Sequence, residues 1–119
     1  MIKTEAMSPC ALKITPSEKL RESDFHGLAQ RVDPMITKCG QVRLLIDVSG
    51  FNGWEGYAAF QAHAGFIKNH QRNVERIAVI VGHDSQHWVV DAARMFLHPE
   101  ARAFDKSRED EAQRWVVGD

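Results

Sequence analysis

The stretch RLLIDVSGFNGWEG, Arg43 to Gly56, decides the fold class of this chain. Its first half is an apolar run too short for a buried helix, so it predicts a buried strand. Its second half is a loop with a glycine at every third position. A second run, RIAVIVG from Arg76 to Gly82, repeats the pattern of an apolar strand closed by a glycine. Strands of this kind are buried on both faces, as in a parallel sheet covered by helices.

Helical patterns alternate with these strands. An apolar stripe from Phe25 to Cys39 predicts a helix that begins at Ser23 or Asp24 and ends at Gly40 in a left-handed conformation. Pro34 lies inside this pattern and predicts a kink, or a break into two shorter helices. The segments EGYAAFQAHAGFIKNH and DSQHWVVDAARMFL predict two more helices, and SREDEAQRWVV predicts a last one.

The ends of the chain supply the remaining strands. MIKTEAMSPCALKIT predicts a hairpin that turns at Ser8 and Pro9, and ARAFD predicts a weak strand before the last helix. The chain shows no repeat or linker, so we expect residues 1–119 to form a single α/β domain.

Composition limits the functional class. The chain has 119 residues and a formal net charge of -1, which argues against a nucleic-acid partner. No run approaches the roughly 18 apolar residues of a membrane span, although peripheral membrane contact stays open. No secretory signal precedes Cys10 and Cys39, so we expect reduced thiols and a cytoplasmic location.

The order of these motifs resembles a known family. RLLIDVSGFNGW, ERIAVIVG, HW, ARAFD and EAQRW follow one another as in the SpoIIAA-like proteins of the STAS group, which are similar to Sec14-type lipid-binding domains. The resemblance runs from about Ala11 to the end of the chain. It implies a mixed, mostly parallel sheet of four or five strands with one antiparallel edge and helices mainly on one face. It also implies no established enzymatic activity.

One departure from the family bears on mechanism. Anti-sigma antagonists of this group carry an aspartate-serine pair at the start of the second helix, and that serine is phosphorylated. The corresponding residues here are Trp54, Glu55, Gly56 and Tyr57, and Ser49 comes too early in the chain. The resemblance therefore does not extend to a phosphoserine switch.

The loop after the first buried strand is the candidate ligand site. It lies at the carboxyl end of a central strand, where open α/β sheets place their binding crevices, and the segment GHDSQHW should lie beside it. Alternatively, its aromatic side chains only cover the end of the strand. The predicted ligand-binding residues are Ser49, Phe51, Trp54, Tyr57, Phe60, His83, Ser85 and Trp88.

Other chemistry is not supported by the sequence. The loop lacks the pattern of a nucleophile elbow or a dinucleotide-binding loop. The histidines, including His63 and His70, lack the spacing of a metal site, and no cofactor is expected. Asp47 is expected to bond the backbone of the following loop in an Asx-type turn rather than to act in catalysis. We predict no catalytic residue.

The second helix is apolar on more than one side and ends in basic residues. Such a helix indicates contact with a partner protein, a second copy or a membrane, unless its neighbours cover it. The predicted contact face consists of Ala59, Ala62, Phe66, Lys68 and His70.

These observations lead to two hypotheses. The first is a non-catalytic module for a small apolar or lipid-like ligand, with Gly50, Gly53 and Gly56 as a hinge that lets the second helix move. Peripheral membrane contact would then run through that helix. The alternative is a protein-interaction module, either a homodimer or a partner-binding domain without the phosphoserine.

Overall fold

Five strands lie side by side in chain order in the computed structural model of the protein, which describes residues 2–16, 19–49, 53–81 and 101–118. They are β1 (Ile2–Ser8), β2 (Ala11–Pro16), β3 (Val42–Asp47), β4 (Val74–Val81) and β5 (Ala101–Asp105). β1 and β2 pair antiparallel, and the other neighbours pair parallel. The predicted mixed sheet with one antiparallel edge is confirmed, and so is the hairpin at Ser8 and Pro9.

The central strands are covered on both faces, as their apolar runs predict. Val42 and Leu44 of β3 belong to a core on one face of the sheet, whereas Leu45 belongs to a second core on the other. Because successive side chains of a strand point to opposite faces, Asp47 lies on the same face as Leu45.

Two helices cover the first face. These are α1 (Glu22–Cys39) and α2 (Tyr57–His70), and they pack against each other. Phe25, Leu28 and Val32 form the buried stripe of α1, as predicted. Gly40 ends the helix at a φ of 79°, and its N–H donates to the carbonyl of Ile36 at 2.7 Å.

Helix α1 continues through Pro34, so the alternative of two shorter helices is wrong. A proline inside a helix leaves the carbonyl four residues earlier without its helical donor. Here that carbonyl belongs to Gln30. Both Gln30 and Pro34 are exposed, so water can hydrate the carbonyl without loss of core packing.

The last helix, α3 (Glu109–Val117), covers the opposite face. Ala112 and Val116 are buried there against Leu45 and Ile80. Arg76 donates to the carbonyl of Trp115 at 2.9 Å, and Arg43 of β3 donates to the carbonyl of Val116 at 3.1 Å. These guanidinium groups satisfy carbonyls that a helix C-terminus leaves without donors.

Cys10 and Cys39 form a disulfide, so the prediction of reduced thiols is wrong. Their Cα atoms are 6.0 Å apart although 29 positions separate them in the chain. The topology explains this proximity. β2 and β3 are parallel neighbours and begin at the same end of the sheet. Cys10 comes just before β2, and Cys39 ends the helix before β3, so the two residues meet there. The sequence treated Cys39 as a core residue of α1, whereas it is half-exposed.

Within the described ranges, no helix is both long enough and apolar enough to span a membrane.

Candidate functional site

The starts of α1 and α2 lie next to each other and are joined by backbone hydrogen bonds. Leu20, just before α1, donates from its N–H to the carbonyl of Gly53 at 2.9 Å and accepts from the N–H of Glu55 at 2.7 Å. The Arg21 guanidinium and the Glu55 carboxylate add an exposed ion pair at 2.9 Å. The loop before α2 is therefore fixed to the segment before α1.

Two glycines bracket the residues that make these contacts. Gly53 has a φ of 94° and Gly56 a φ of 106°, values that residues with a Cβ rarely adopt. Both therefore form the tight turns on either side of Trp54 and Glu55. The hinge movement predicted for them stays a prediction, and Gly50 lies outside the described residues.

Trp54 is bound to α2 by its side chain. The indole Nε1–H donates to Nδ1 of His63 at 3.0 Å. The His63 ring stacks on Phe25 of α1, with 5.0 Å between ring centroids. Because Nδ1 accepts this bond, the imidazole is neutral with its proton on Nε2. Burial also lowers the pKa of His63 below its ordinary value of 6.5, which favours the neutral ring.

An open cleft of about 440 Å³ lies between the two helix starts. Acidic, basic and hydroxyl groups of the first turn of α1 and the loop form its rim, and Ala58 and Ala59 of α2 complete it. Tyr57, the first residue of α2, is 73% exposed. The α1–α2 surface, as used below, comprises Arg21, Glu22, Ser23, His26, Glu55, Tyr57 and Ala58.

The face of α2 predicted to meet a partner largely turns inward. Ala59 is 2% exposed, and Phe66 packs against the core of the first face. Phe66 also stacks on His70, whose Nε2 lies 2.7 Å from a carboxylate oxygen of Asp33 on α1. Ala62 is half-buried, and Lys68 is exposed.

In this arrangement Phe66 and His70 contact Phe25 and Asp33 of α1, and Ala59 is too buried to meet a partner. The sequence was ambiguous because α2 is apolar on several sides, and its periodicity does not say which side faces the core.

The predicted ligand rim is described only in part. Ser49 and Tyr57 are exposed, and Trp54 is half-buried. Gly50, Phe51, His83, Ser85 and Trp88 lie outside the described residues, as does the side chain of Phe60. The predicted helix DSQHWVVDAARMFL also lies there. The ligand rim therefore stays a prediction.

A buried carboxylate at the end of β3 forms a second polar group. Asp47 is 4% exposed, and its Oδ1 accepts from the N–H of Ser49 at 3.0 Å and from its hydroxyl at 2.6 Å. This confirms the Asx-type turn. Its Oδ2 accepts from the Lys106 ammonium, a partner that the sequence did not indicate.

The environment of Asp47 determines its charge. Burial alone would raise the pKa of this carboxyl, but hydrogen bonds from Lys106 and Ser49 outweigh burial and hold the pKa below its ordinary value. The hydrogen bonds that Lys106 donates to Asp47 and Glu109 raise the pKa of the ammonium above its ordinary value, because they stabilise its charged form. Both groups are therefore charged at neutral pH.

Lys106 also joins Asp47 to the start of α3. Its ammonium lies 3.0 Å from one oxygen of Glu109, whose other oxygen lies 2.8 Å from Lys13 of β2. These bonds lower the pKa of Glu109. The four alternating charges fix the first turn of α3 on the sheet.

In the described part of the chain, no group of three or more histidine, cysteine or acidic side chains is placed to hold a metal ion. His63 accepts a hydrogen bond from Trp54, and His70 lies within hydrogen-bond distance of Asp33. His83 and His87 lie outside the described residues.

The mixed five-stranded sheet, with α1 and α2 on one face and α3 on the other, defines a STAS-type α/β domain. The chain belongs to the SpoIIAA-like family, whose model matches residues 11–117. A comparison with curated proteins gives no match.

Solved structures share this fold. An uncharacterized protein of Shewanella loihica with a SpoIIAA-like fold is 21% identical at a TM-score of 0.76, with 98% of this chain and 93% of that one covered. The anti-sigma factor antagonist SpoIIAA in its unphosphorylated form is 9% identical at a TM-score of 0.69, with coverage of 99% and 100%. The phosphorylated form of SpoIIAA, a Bacillus cell fate determinant, is 12% identical at 0.57, with coverage of 97% and 99%. At these identities the likeness concerns the fold.

Proposed function

We propose that this chain is a non-catalytic protein-interaction module that binds its partner through the α1–α2 surface. The observation that carries the proposal is the exposure of Tyr57 at the start of α2, beside an open cleft with charges of both signs. SpoIIAA-like STAS domains often mediate protein–protein interaction and are generally non-catalytic. One structure with this fold is named an anti-sigma factor antagonist, a protein that acts on other proteins.

The chemistry of the α1–α2 surface suits a protein partner. Tyrosine is enriched at interfaces because its ring buries a large area while its hydroxyl keeps a hydrogen bond. Ser23, His26 and the ion pair of Arg21 with Glu55 line the cleft next to the start of α2, where Tyr57 lies. An aromatic anchor inside a polar rim is the usual composition of an interface centre.

The hydrogen bonds between the helix starts add pre-organisation. Leu20 bonds to both Gly53 and Glu55, so the two halves of the surface are already fixed in the free protein. This surface would then lose less conformational freedom when a partner binds, which favours affinity. Because the start of α2 carries no serine or threonine, we propose recognition that does not depend on a phosphoserine.

The test begins with affinity capture of partners from native extract, followed by titration calorimetry with each purified candidate. Tyr57→Ala and Ser23→Arg change the surface without touching the core. Asp110→Ala, at an exposed position of α3 on the opposite face of the sheet, is the matched control. We expect at least one partner whose Kd rises about tenfold or more with the first two variants and is unchanged with the third. Equal affinity of all variants for every partner would disprove this surface.

A small apolar or lipid-like ligand at the rim predicted from the sequence is the second proposal, since the carboxyl end of a central strand is where open α/β sheets place their binding crevices. Contact with a membrane, or with a second copy, would follow from the exposed Lys68 end of α2. Native mass spectrometry of freshly purified protein separates these outcomes. An adduct of a few hundred daltons supports the ligand, a doubled mass supports a dimer, and a bare monomer leaves the partner proposal.

A cytoplasmic location is part of the proposal, and the disulfide offers its test. Cytoplasmic proteins usually keep their thiols reduced. Alkylation of intact cells with a mass-tagging reagent, before lysis, would show whether Cys10 and Cys39 are free. A tag on both cysteines would show that the bridge is reduced inside the cell and supports the cytoplasm, whereas an untagged bridge would place the protein in an oxidising compartment.

A further inference from the structure

β1 lies at one edge of the sheet, where it pairs with β2. Among the described residues, no strand pairs with its other side. Lys3, Glu5 and Ala6 of this strand are exposed. Such an edge presents a row of backbone N–H and C=O groups to solvent, and another extended strand can bond to them. The outer side of β1 is therefore a place where a further strand can join the sheet.

We propose that this strand is β1 of a second copy, which pairs antiparallel across a twofold axis at Thr4. The regular part of β1 runs from Ile2 to Ala6, because the register with β2 shifts between Ala6 and Ser8. Thr4 is the centre of that part. An axis there places Lys3 of each copy opposite Glu5 of the other, so the dimer contains two identical ion pairs.

The charges of β1 select this register. Directly opposed residues of an antiparallel pair lie on the same face, so a twofold axis perpendicular to the sheet passes through a residue and not between two residues. An axis at Lys3 would oppose two ammonium groups, and an axis at Glu5 would oppose two carboxylates. Opposed unlike charges stabilise a strand pair, whereas opposed like charges destabilise it. Of these three positions, only the axis at Thr4 is favoured by the charges.

Lys3 and Glu5 are available for these ion pairs. Both are exposed, and within the described part of the chain neither forms a salt bridge. Lys13 of β2 lies opposite Glu5, but its ammonium bonds to Glu109 at 2.8 Å. The charges of β1 are therefore not already neutralised by a described neighbour.

The α1 face of β1 is also compatible with a second copy. Thr4 lies on this face, since its hydroxyl accepts from Arg31 of α1 at 3.1 Å. The axis would oppose the two Thr4 side chains, and threonine pairs across strands are favourable. It would also bring the two Arg31 side chains nearer to each other, but Arg31 is exposed, so water and salt screen their repulsion. Because each copy contributes only a short strand, we expect a weak dimer.

β5 at the opposite edge of the sheet does not offer the same complementarity. Its charged residues, Arg102 and Asp105, are three positions apart, so they lie on opposite faces of the sheet. They cannot be directly opposed in an antiparallel pair of two β5 strands. The charge pattern therefore points to β1 as the edge that pairs with its own copy.

This inference goes beyond the proposed function, because the α1–α2 surface contains no residue of β1. The axis is perpendicular to the sheet, so α1 and α2 of both copies would lie on the same face of a joined sheet. The dimer would then present two α1–α2 surfaces in the same direction. Failure of either proposal leaves the other intact.

The test is sedimentation velocity of the full chain in about 0.15 M salt, from about 5 to about 300 µM protein. We expect the mass to rise from 13.5 kDa toward twice that value. Lys3→Glu and Glu5→Lys each oppose like charges at both pairs, so each should raise the dimer Kd about tenfold or more. Lys68→Glu reverses an exposed lysine at the end of α2 and should leave the Kd unchanged.

Mixing the two charge-reversed variants tests the register itself. An equimolar mixture of Lys3→Glu and Glu5→Lys should form a mixed dimer, because every opposed pair then has unlike charges. The double variant Lys3→Glu/Glu5→Lys should recover the Kd of the parent to within about threefold. As an independent measurement, amide hydrogen exchange in β1 should slow as protein concentration rises, whereas exchange in β5 should not.

Three results would overturn the inference. The first is a mass of 13.5 kDa at every concentration. The second is a dimer that responds to Lys68→Glu but to neither charge reversal in β1, which would place the contact on α2. The third is a mixture of the two single variants that does not associate. All of these measurements use the protein without any other partner, so they do not depend on whether the α1–α2 surface binds one.

Discussion

Asp47 and Lys106 form an ion pair although 59 positions separate them in the chain. The carboxylate is buried at the end of β3, and the ammonium follows β5 and is half-exposed. The pair joins the strand that leads into the α2 loop to the turn that begins α3. Within the described part of the chain, Lys106 is the one cation that pairs with this buried carboxylate.

Loss of that cation should destabilise the fold. In Lys106→Met the stem is retained, but the Asp47 charge stays buried with Ser49 as its one remaining donor among the described residues. We expect the free energy of unfolding in urea to fall by about 1–3 kcal/mol, less than for a fully buried pair because water reaches Lys106. Lys38→Met, an exposed lysine near the end of α1, should change it by less than about 0.5 kcal/mol. Equal effects of the two variants would show that the pair contributes nothing.

The same carboxylate gives stability a defined pH dependence. Because its folded pKa lies below the ordinary value of 3.8, the unfolded chain takes up a proton before the folded one does. The stabilisation is therefore fully present above about pH 4 and is lost as the pH falls through the folded pKa. Urea unfolding between about pH 7 and pH 2.5 should show a shallower acid loss in Asp47→Asn than in the parent. If the free energy of unfolding fell equally with pH in both proteins, Asp47 would not be a source of the acid sensitivity.

The disulfide should stabilise the folded state by limiting the unfolded chain. It closes a loop of 29 positions, for which loop-closure entropy gives about 2–4 kcal/mol. Reduction with dithiothreitol should therefore lower the Tm of the parent. The Cys10→Ser/Cys39→Ser variant should melt near the reduced parent and be insensitive to the reductant. A parent whose Tm does not respond while its thiols become titratable would contradict this expectation.

Two glycines in or beside α2 should respond in opposite directions to alanine. Gly56 has a positive φ, so Gly56→Ala should cost about 1 kcal/mol of the free energy of unfolding. Gly65 lies inside α2 with open space around its Cβ position, so Gly65→Ala should add about 0.5–1 kcal/mol through helix propensity. Thermal unfolding of both variants measures the difference. Stabilisation by alanine at both positions would show that Gly56 is not held in that conformation.

Local sequence patterns predicted the helices and strands, whereas they could not predict contacts between residues far apart in the chain. β3 and β4 could be predicted because short apolar runs that are rich in β-branched residues and end at a glycine are typical of buried strands. The stripe of α1 and its end at Gly40 also follow from local chemistry. In contrast, Cys39 meets Cys10, and Lys106 meets Asp47, only because strand order brings distant ends together.

The candidate site was predicted in part for the same reason. The loop around Trp54 stood out by its glycines, and Tyr57 by its place at a helix start. The cross-connection to Leu20 and Arg21 depends on how α1 and α2 pack, which the sequence does not encode locally. His63 was considered only as a metal ligand, since its spacing says nothing about the indole beside it.

The bridge between Cys10 and Cys39 also changes what a protease can release. Both β2 and α1 lie inside the covalent ring, together with the α1 half of the α1–α2 surface. A single cut within that ring adds one water to the mass but frees no fragment until the sulfurs are reduced. A nicked molecule would therefore still carry Arg21, Ser23 and His26 tethered to the sheet, and on gels the break would show only after reduction.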